Sequence, residues 1–206
     1  MQISIEFLMT SFIVVISPGS GTIYTIATGL SRGTKASLIA AIACTFGIIP
    51  HMLIAILGLA FVFTVSSSVF MILKFLGVAY LLYMAWLALQ DKGTFHFEQK
   101  NTEDSALKIM NHAIFINLFN PKLPLFFLAF LPQFISTDTA HPIWDMFVLS
   151  LIFMLITLVV FIIYGVFAAM MRQHVLDRPI VLKWLRGIFA LAFIGLSMKL
   201  LFSSKS

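Results

Sequence analysis

Residues 3–30 read ISIEFLMTSFIVVISPGSGTIYTIATGL. A helix needs about 20 apolar residues to cross a bilayer, and this run supplies them. It is also interrupted, at Ser17-Pro18-Gly19. Proline has no backbone N–H and its ring clashes with the preceding turn, so a helix breaks or kinks there. Five further runs of the same character follow, at residues 36–64, 69–89, 112–134, 143–171 and 183–202. The fourth is interrupted as well, at Asn120-Pro121. The expected fold is therefore an all-α integral membrane protein with six transmembrane helices, the first and fourth broken.

Composition agrees. The 206 residues are 61% hydrophobic and 10% charged, whereas soluble domains carry about 25% charged residues. The net charge of +5 invites a nucleic-acid reading, but the basic residues form no stripe with interleaved aromatics. Cys44 is the single cysteine, so no internal disulfide or Cys/His metal spacing exists. It reads as a small buried apolar residue. The N-terminus carries Glu6 and no basic stretch, which argues against a cleaved signal peptide, and no lipidation motif is visible.

The connectors are short, and their charges orient the chain. The loops after runs one, three and five hold Arg32, Lys35, Lys92, Lys100, Lys108, Arg172, Arg178, Lys183 and Arg186, while the opposite side holds only Lys205. By the positive-inside rule the basic loops are cytoplasmic and both termini face outward. Trp86 and Trp184 then fall near the inner interface and Trp144 near the outer one. Lys74 and Lys199 are placed to snorkel. Residues 91–108 form the one hydrophilic loop of any size, read as cytoplasmic, between a first three-helix half (1–90) and a second (109–206).

Two constellations carry the functional reading. The first is Ser17-Pro18-Gly19-Ser20-Gly21. The second is Asn120-Pro121-Lys122, followed by Pro124. Freed carbonyls in lipid must find partners, so such breaks are tolerated where they meet protein or a water-filled cavity. Lys122 costs about 3 kcal/mol or more near the bilayer centre unless it snorkels or faces a polar site. Both readings of Lys122 stay open, as do backbone capping and substrate contact for Asn120. Pro18 and Pro121 lie 103 residues apart, half of the 206-residue chain. Three spans per half invert the second half relative to the first. Paired broken helices in inverted halves point to a transporter site near the midplane. Ser17, Gly21, Thr25, Gly29 and Gly33 recur every four residues, a stripe that lets another helix approach closely.

Other ionisable groups are few. His51 follows Pro50 in the second run; it either relays protons or is a hydrogen-bonded packing residue. Glu6 and Asp145 fall near outer ends, within reach of water, and His112 near the inner interface. No P-loop, HExxH, GxSxG or buried carboxylate pair occurs. An enzyme is not expected, nor is any cofactor or metal. The expected partners are a small-molecule substrate, protons and lipid; the oligomeric state is unknown.

At these residues the sequence resembles the lysine exporter (LysE/RhtB) family of amino-acid efflux proteins. Pro18-Gly19-Ser20-Gly21-Thr22 with Gly29-Leu30-Ser31-Arg32-Gly33 is similar to its N-terminal signature, and Leu76-Gly77 through Trp86 to its third-helix pattern. Asn117 through Asn120-Pro121-Lys122 to Leu131-Pro132-Gln133-Phe134 resembles its most recognisable block, and Gly187 to Gly195 also fits. The resemblance implies two inverted three-helix repeats, a bacterial inner-membrane location, and amino-acid efflux driven by the proton motive force. It carries over Pro18, Gly19, Asn120, Pro121 and Lys122 as substrate-site candidates, to which the motif adds Ser20 and Gly21.

Two departures stand out. Ser20 and Gly21 occupy places where the family usually has proline and asparagine. Ile48 follows Gly47 where the family commonly has an acid, which leaves His51 as the proton-coupling candidate. The reading that follows is a secondary transporter exporting small zwitterions by proton antiport, with the helix half after Pro121 presenting its positive end to the substrate carboxylate. Its rivals are a passive channel or uniporter on the same scaffold, and a membrane assembly subunit without transport.

Overall fold

The computed structural model describes residues 3–17, 19–62, 105–120, 122–136 and 139–171, together with single positions between 75 and 86 and between 187 and 202. Pro18, Pro121, Lys74, Trp184, Lys199 and residues 91–104 lie outside the described residues. Among those described, no strand occurs and helices account for nearly every position. The protein is an all-α membrane protein.

The first run is two helices, α1 (Ile5–Ile16) and α2 (Ser20–Arg32), bent by 54°. Ser4 opens α1, its hydroxyl accepting from Phe7 N, the usual way to satisfy an unpaired N-terminal donor. Phe7, Thr10, Ser11, Val14 and Val15 are buried, while Ile5, Leu8, Met9 and Phe12 face outward at helical spacing. An outward apolar face is ordinary when the solvent is lipid.

The second run is a single span over Thr34–Gly58, as expected, with a local disturbance that the sequence reading did not include. The turn at Gly47-Ile48 separates α3 (Thr34–Phe46) from α4 (Ile49–Val62) without breaking the span. Ile48 N bonds to Thr45 O rather than continuing the α-helical ladder to Cys44. The Cys44 carbonyl is thereby left for another partner. Pro50, which cannot donate to Phe46 O, explains the disturbance.

The fourth run begins as α5 (Ala106–Leu118), capped by the Ser105 hydroxyl. It resumes as α6 (Lys122–Leu125), which continues through a π-helical turn (Phe126–Phe130) and a 3-10 turn (Leu131–Phe134). The two halves of this run bend by 48°. The fifth run is a single helix, α7 (Pro142–Met170), of 29 residues. At 1.5 Å per residue it is about 43 Å long, enough to cross a bilayer with tilt.

Runs three and six are described only in part. Phe75, Val78, Ala79, Leu82, Tyr83 and Trp86 are helical, as are Gly187, Leu191, Ile194, Gly195, Ser197, Met198, Leu201 and Phe202. Their large side chains are exposed at three- and four-residue spacing, one apolar face on each.

The apolar core joins α1, α3, α4, the 123–131 stretch of the fourth run and α7. Phe126 stacks on Phe153 with ring centroids 4.0 Å apart, and Phe7 meets Phe134 edge-on. The small-residue stripe acts as expected, for a Cβ on Gly29 would fall 2.5 Å from the Gly165 carbonyl oxygen. Asp145, expected near water, is instead 7% exposed and accepts from the Thr139 hydroxyl at 2.8 Å. Glu6 is exposed. Cys44 is fully buried.

Candidate functional site

The site starts with two carbonyl groups. Pro18 has no N–H, so the carbonyl four residues earlier, at Val14, loses its helical partner. Pro121 does the same to Asn117. These two carbonyls are 103 residues apart, like the prolines. Neither is left bare. Lys122 Nζ donates to Val14 O at 3.0 Å and to Ser17 O at 2.9 Å. The His51 ring donates from Nε2 to Asn117 O at 3.2 Å; a carbonyl can only accept, which fixes the direction.

Both breaks are thus closed by side chains from another span. The end of α1 takes further support from the Ser17 hydroxyl, which donates to Val14 O at 2.6 Å. The Tyr164 hydroxyl on α7 donates to Ile16 O at 3.1 Å. Lys122 does not snorkel: it is 5% exposed and turned into the break of the first span. It also sits at the negative end of the α1 dipole, where a cation is stabilised.

Asn120 caps the restart of its own span. Its Oδ1 accepts from Lys122 N at 3.1 Å, and its carbonyl accepts from Leu123 N at 3.2 Å. The positive end of that helix half is therefore already partnered, and only one regular turn of α-helix follows it. The expectation that it presents a free N-terminus to a carboxylate is not met. The start of α2 is different. Gly19 is its N-cap, without any side-chain cap, and the Thr22 hydroxyl in its first turn is buried with no partner among the described residues.

Glycines allow the approach. A Cβ on Gly19 would lie 2.9 Å from Lys122 Cε and 3.4 Å from Asn120 Nδ2. One on Gly21 would lie 2.7 Å from Asn117 Oδ1. Ser20 donates to Ile116 O at 3.2 Å, tying α2 to α5. Gly19, Ser20, Gly21, Asn120, Lys122 and His51 therefore gather around one buried polar centre.

Sequence reasoning missed two members. Asn117 is 1% exposed; its amide donates to Cys44 O and accepts from Asn120 Nδ2 at 3.0 Å. Tyr164 reaches the α1 end from α7. The position of Asn117, four before a proline, was the available signal for the first. Tyr164 had none, because its partner is 148 residues away.

The chain is similar in sequence to known membrane proteins. An uncharacterized membrane protein of Vibrio cholerae is 30% identical over 197 residues, 95% of each chain. Homoserine/homoserine lactone efflux proteins of Salmonella typhimurium and Salmonella typhi are each 34% identical over 132 residues, 63% of this chain and 63% of theirs. No solved structure matches significantly. The family model described as LysE type translocator matches residues 12–204, and with the two broken spans meeting at Lys122 the conclusion is that this multi-pass membrane protein belongs to the LysE type translocators.

Proposed function

We propose that this protein exports amino acids or related small zwitterionic metabolites across the bacterial inner membrane by proton antiport, in an alternating-access cycle. The observation that carries the reading is the Lys122 ammonium held on the Val14 and Ser17 carbonyls at the broken end of α1. A buried cation on backbone oxygens at a helix break is the kind of polar centre that transporters place between repeats. Pro18, Gly19, Ser20, Gly21, Asn120, Pro121 and Lys122 form the substrate region of this proposal. The repeats would be residues 1–90 and 109–206, joined by a cytoplasmic loop at 91–108. Homoserine, named for the Salmonella relatives, is the first substrate to try.

His51 is the proton carrier in this scheme. Its Nε2 is committed to Asn117 O, so Nδ1 is the atom that gains and loses the proton. Lys122→Met removes the ammonium and keeps an unbranched side chain one atom shorter. Everted vesicles carrying it should lose export while the protein still inserts at wild-type level; unchanged export would take Lys122 out of the site.

One observation favours a passive uniporter instead. Ile48, fully buried, stands where the family commonly has an acid, and no Asp or Glu occurs between residues 7 and 90. An imposed proton gradient separates the two readings. Antiport accumulates labelled substrate in everted vesicles against its gradient, whereas a uniporter only equilibrates it.

A further inference from the structure

Export of a zwitterion leaves open where its two charged ends lie. We propose that the broken end of α1 is an ammonium subsite, which Lys122 fills from within the protein at rest and which the primary ammonium of a neutral amino acid takes over during transport. This rests on the export reading above.

The Val14 and Ser17 oxygens hold Nζ at 3.0 and 2.9 Å, near the lengths of charge-assisted N–H···O bonds. Both belong to the C-terminal end of α1, where the helix dipole favours a cation. The sequence has no Asp or Glu at residues 7–90 or 105–137, and Glu6, the one carboxylate in these two spans, is exposed in the first turn of α1, at the far end of that helix from the break. Lys122 is therefore held as a free ammonium ion would be, on neutral oxygens, and leaving them breaks no ion pair.

The other end of a zwitterion has its place across the same break. The first turn of α2 begins at Ser20 with no side-chain cap, and the buried Thr22 hydroxyl there has no partner among the described residues. Glycine at position 19 leaves room for the ammonium beside this start, since a Cβ there would lie 3.0 Å from Nζ. Carbonyls and N–H groups thus adjoin within one span. In the exchange the substrate ammonium settles on Val14 O and Ser17 O. The displaced Lys122 ammonium then accompanies the substrate carboxylate at the start of α2. A zwitterion adds no net charge, so the site carries the same charge before and after. A ligand with an ammonium but no carboxylate would put a second, uncompensated cation beside Lys122 in a buried setting.

Two measurements test this. Lys122→Ala vacates the volume of propylammonium. The purified variant should gain roughly 5 °C in Tm with n-propylammonium at about 100 times its Kd, with no gain from propan-1-ol and none for wild type. No gain, or an equal gain from the alcohol, overturns the subsite. In wild-type everted vesicles with labelled amino acid at a saturating concentration, a tenfold excess of the unlabelled compound should suppress labelled export about tenfold, and its methyl ester should not. Equal competition by the ester overturns the exchange, and this arm decides alone if Lys122→Ala does not fold. Loss of proton-driven accumulation would sink antiport while leaving the propylammonium result untouched.

Discussion

At Asn117 one residue ties the fourth span to both halves of the second. Its amide donates to Cys44 O on α3, its Oδ1 accepts from Asn120, and its main-chain oxygen accepts from His51 on α4. A Cβ added to Gly47 would lie 2.9 Å from Asn117 Cβ, so the side chain is packed as well as bonded. Asn117→Leu keeps the approximate volume and strands Cys44 O and the Asn120 amide. Each buried group left unpaired costs about 1–3 kcal/mol, so the variant should melt several degrees below wild type in detergent; an unchanged Tm would show that water or a rearranged Asn120 replaces the bonds. His51 gives a sharper pair. His51→Gln keeps a donor for Asn117 O and removes the titrating ring, so it should fold like wild type and lose proton-driven accumulation while keeping downhill flux. His51→Leu removes both and should also lose stability. Full accumulation by the Gln variant would leave His51 as a cap alone.

At the scale of elements, two kinds of contact decide the architecture. The helix breaks place unpaired carbonyls inside the protein, and close helix approach brings partners to them. Gly29 on α2 meets the Gly165 carbonyl on α7, and Gly165 in turn meets Ser37 on α3, where a Cβ would fall 2.7 Å from the serine Cβ. Gly29→Ala therefore forces α2 and α7 apart against a backbone atom, which cannot rotate away. Overpacking of this kind costs about 1–3 kcal/mol. Gly58→Ala, with nothing within 4 Å among the described residues, should be neutral or slightly stabilising by helix propensity. Thermal melts of the two variants check the contrast, and equal stability would mean that α2 and α7 tolerate a wider separation. The interruptions at Pro18 and Pro121 were legible because proline cannot complete a helix. The turn at Gly47-Ile48 was not, although Pro50 stood in plain sight: the run is apolar enough to read as one helix, and the polar group that uses the freed Cys44 carbonyl comes from α5.

Among the described residues, apolar helices enclose a small polar centre. The loops of the whole molecule place the positive charge on one side, so both termini should face outward. A phosphatase fused to the C-terminus should be active and a fluorescent protein there dark in the cell; the reverse would invert the orientation and the direction assigned to export. The same experiment at residue 95 should give the opposite pattern, since the 91–108 loop is cytoplasmic in the proposal.

The sequence by itself determined the membrane class, the apolar runs, the two proline interruptions and most of the residues around them. Hydropathy and the missing proline N–H are local properties, written along the chain. Only the tertiary structure decided what each freed carbonyl meets: Lys122 from the fourth span on Val14 and Ser17, His51 from the second on Asn117, and Tyr164 from the fifth on Ile16. Those pairings depend on helix rotation and close approach between residues up to 148 apart. No periodicity along the chain encodes them, because many arrangements of six apolar helices bury the same area and only packing selects one.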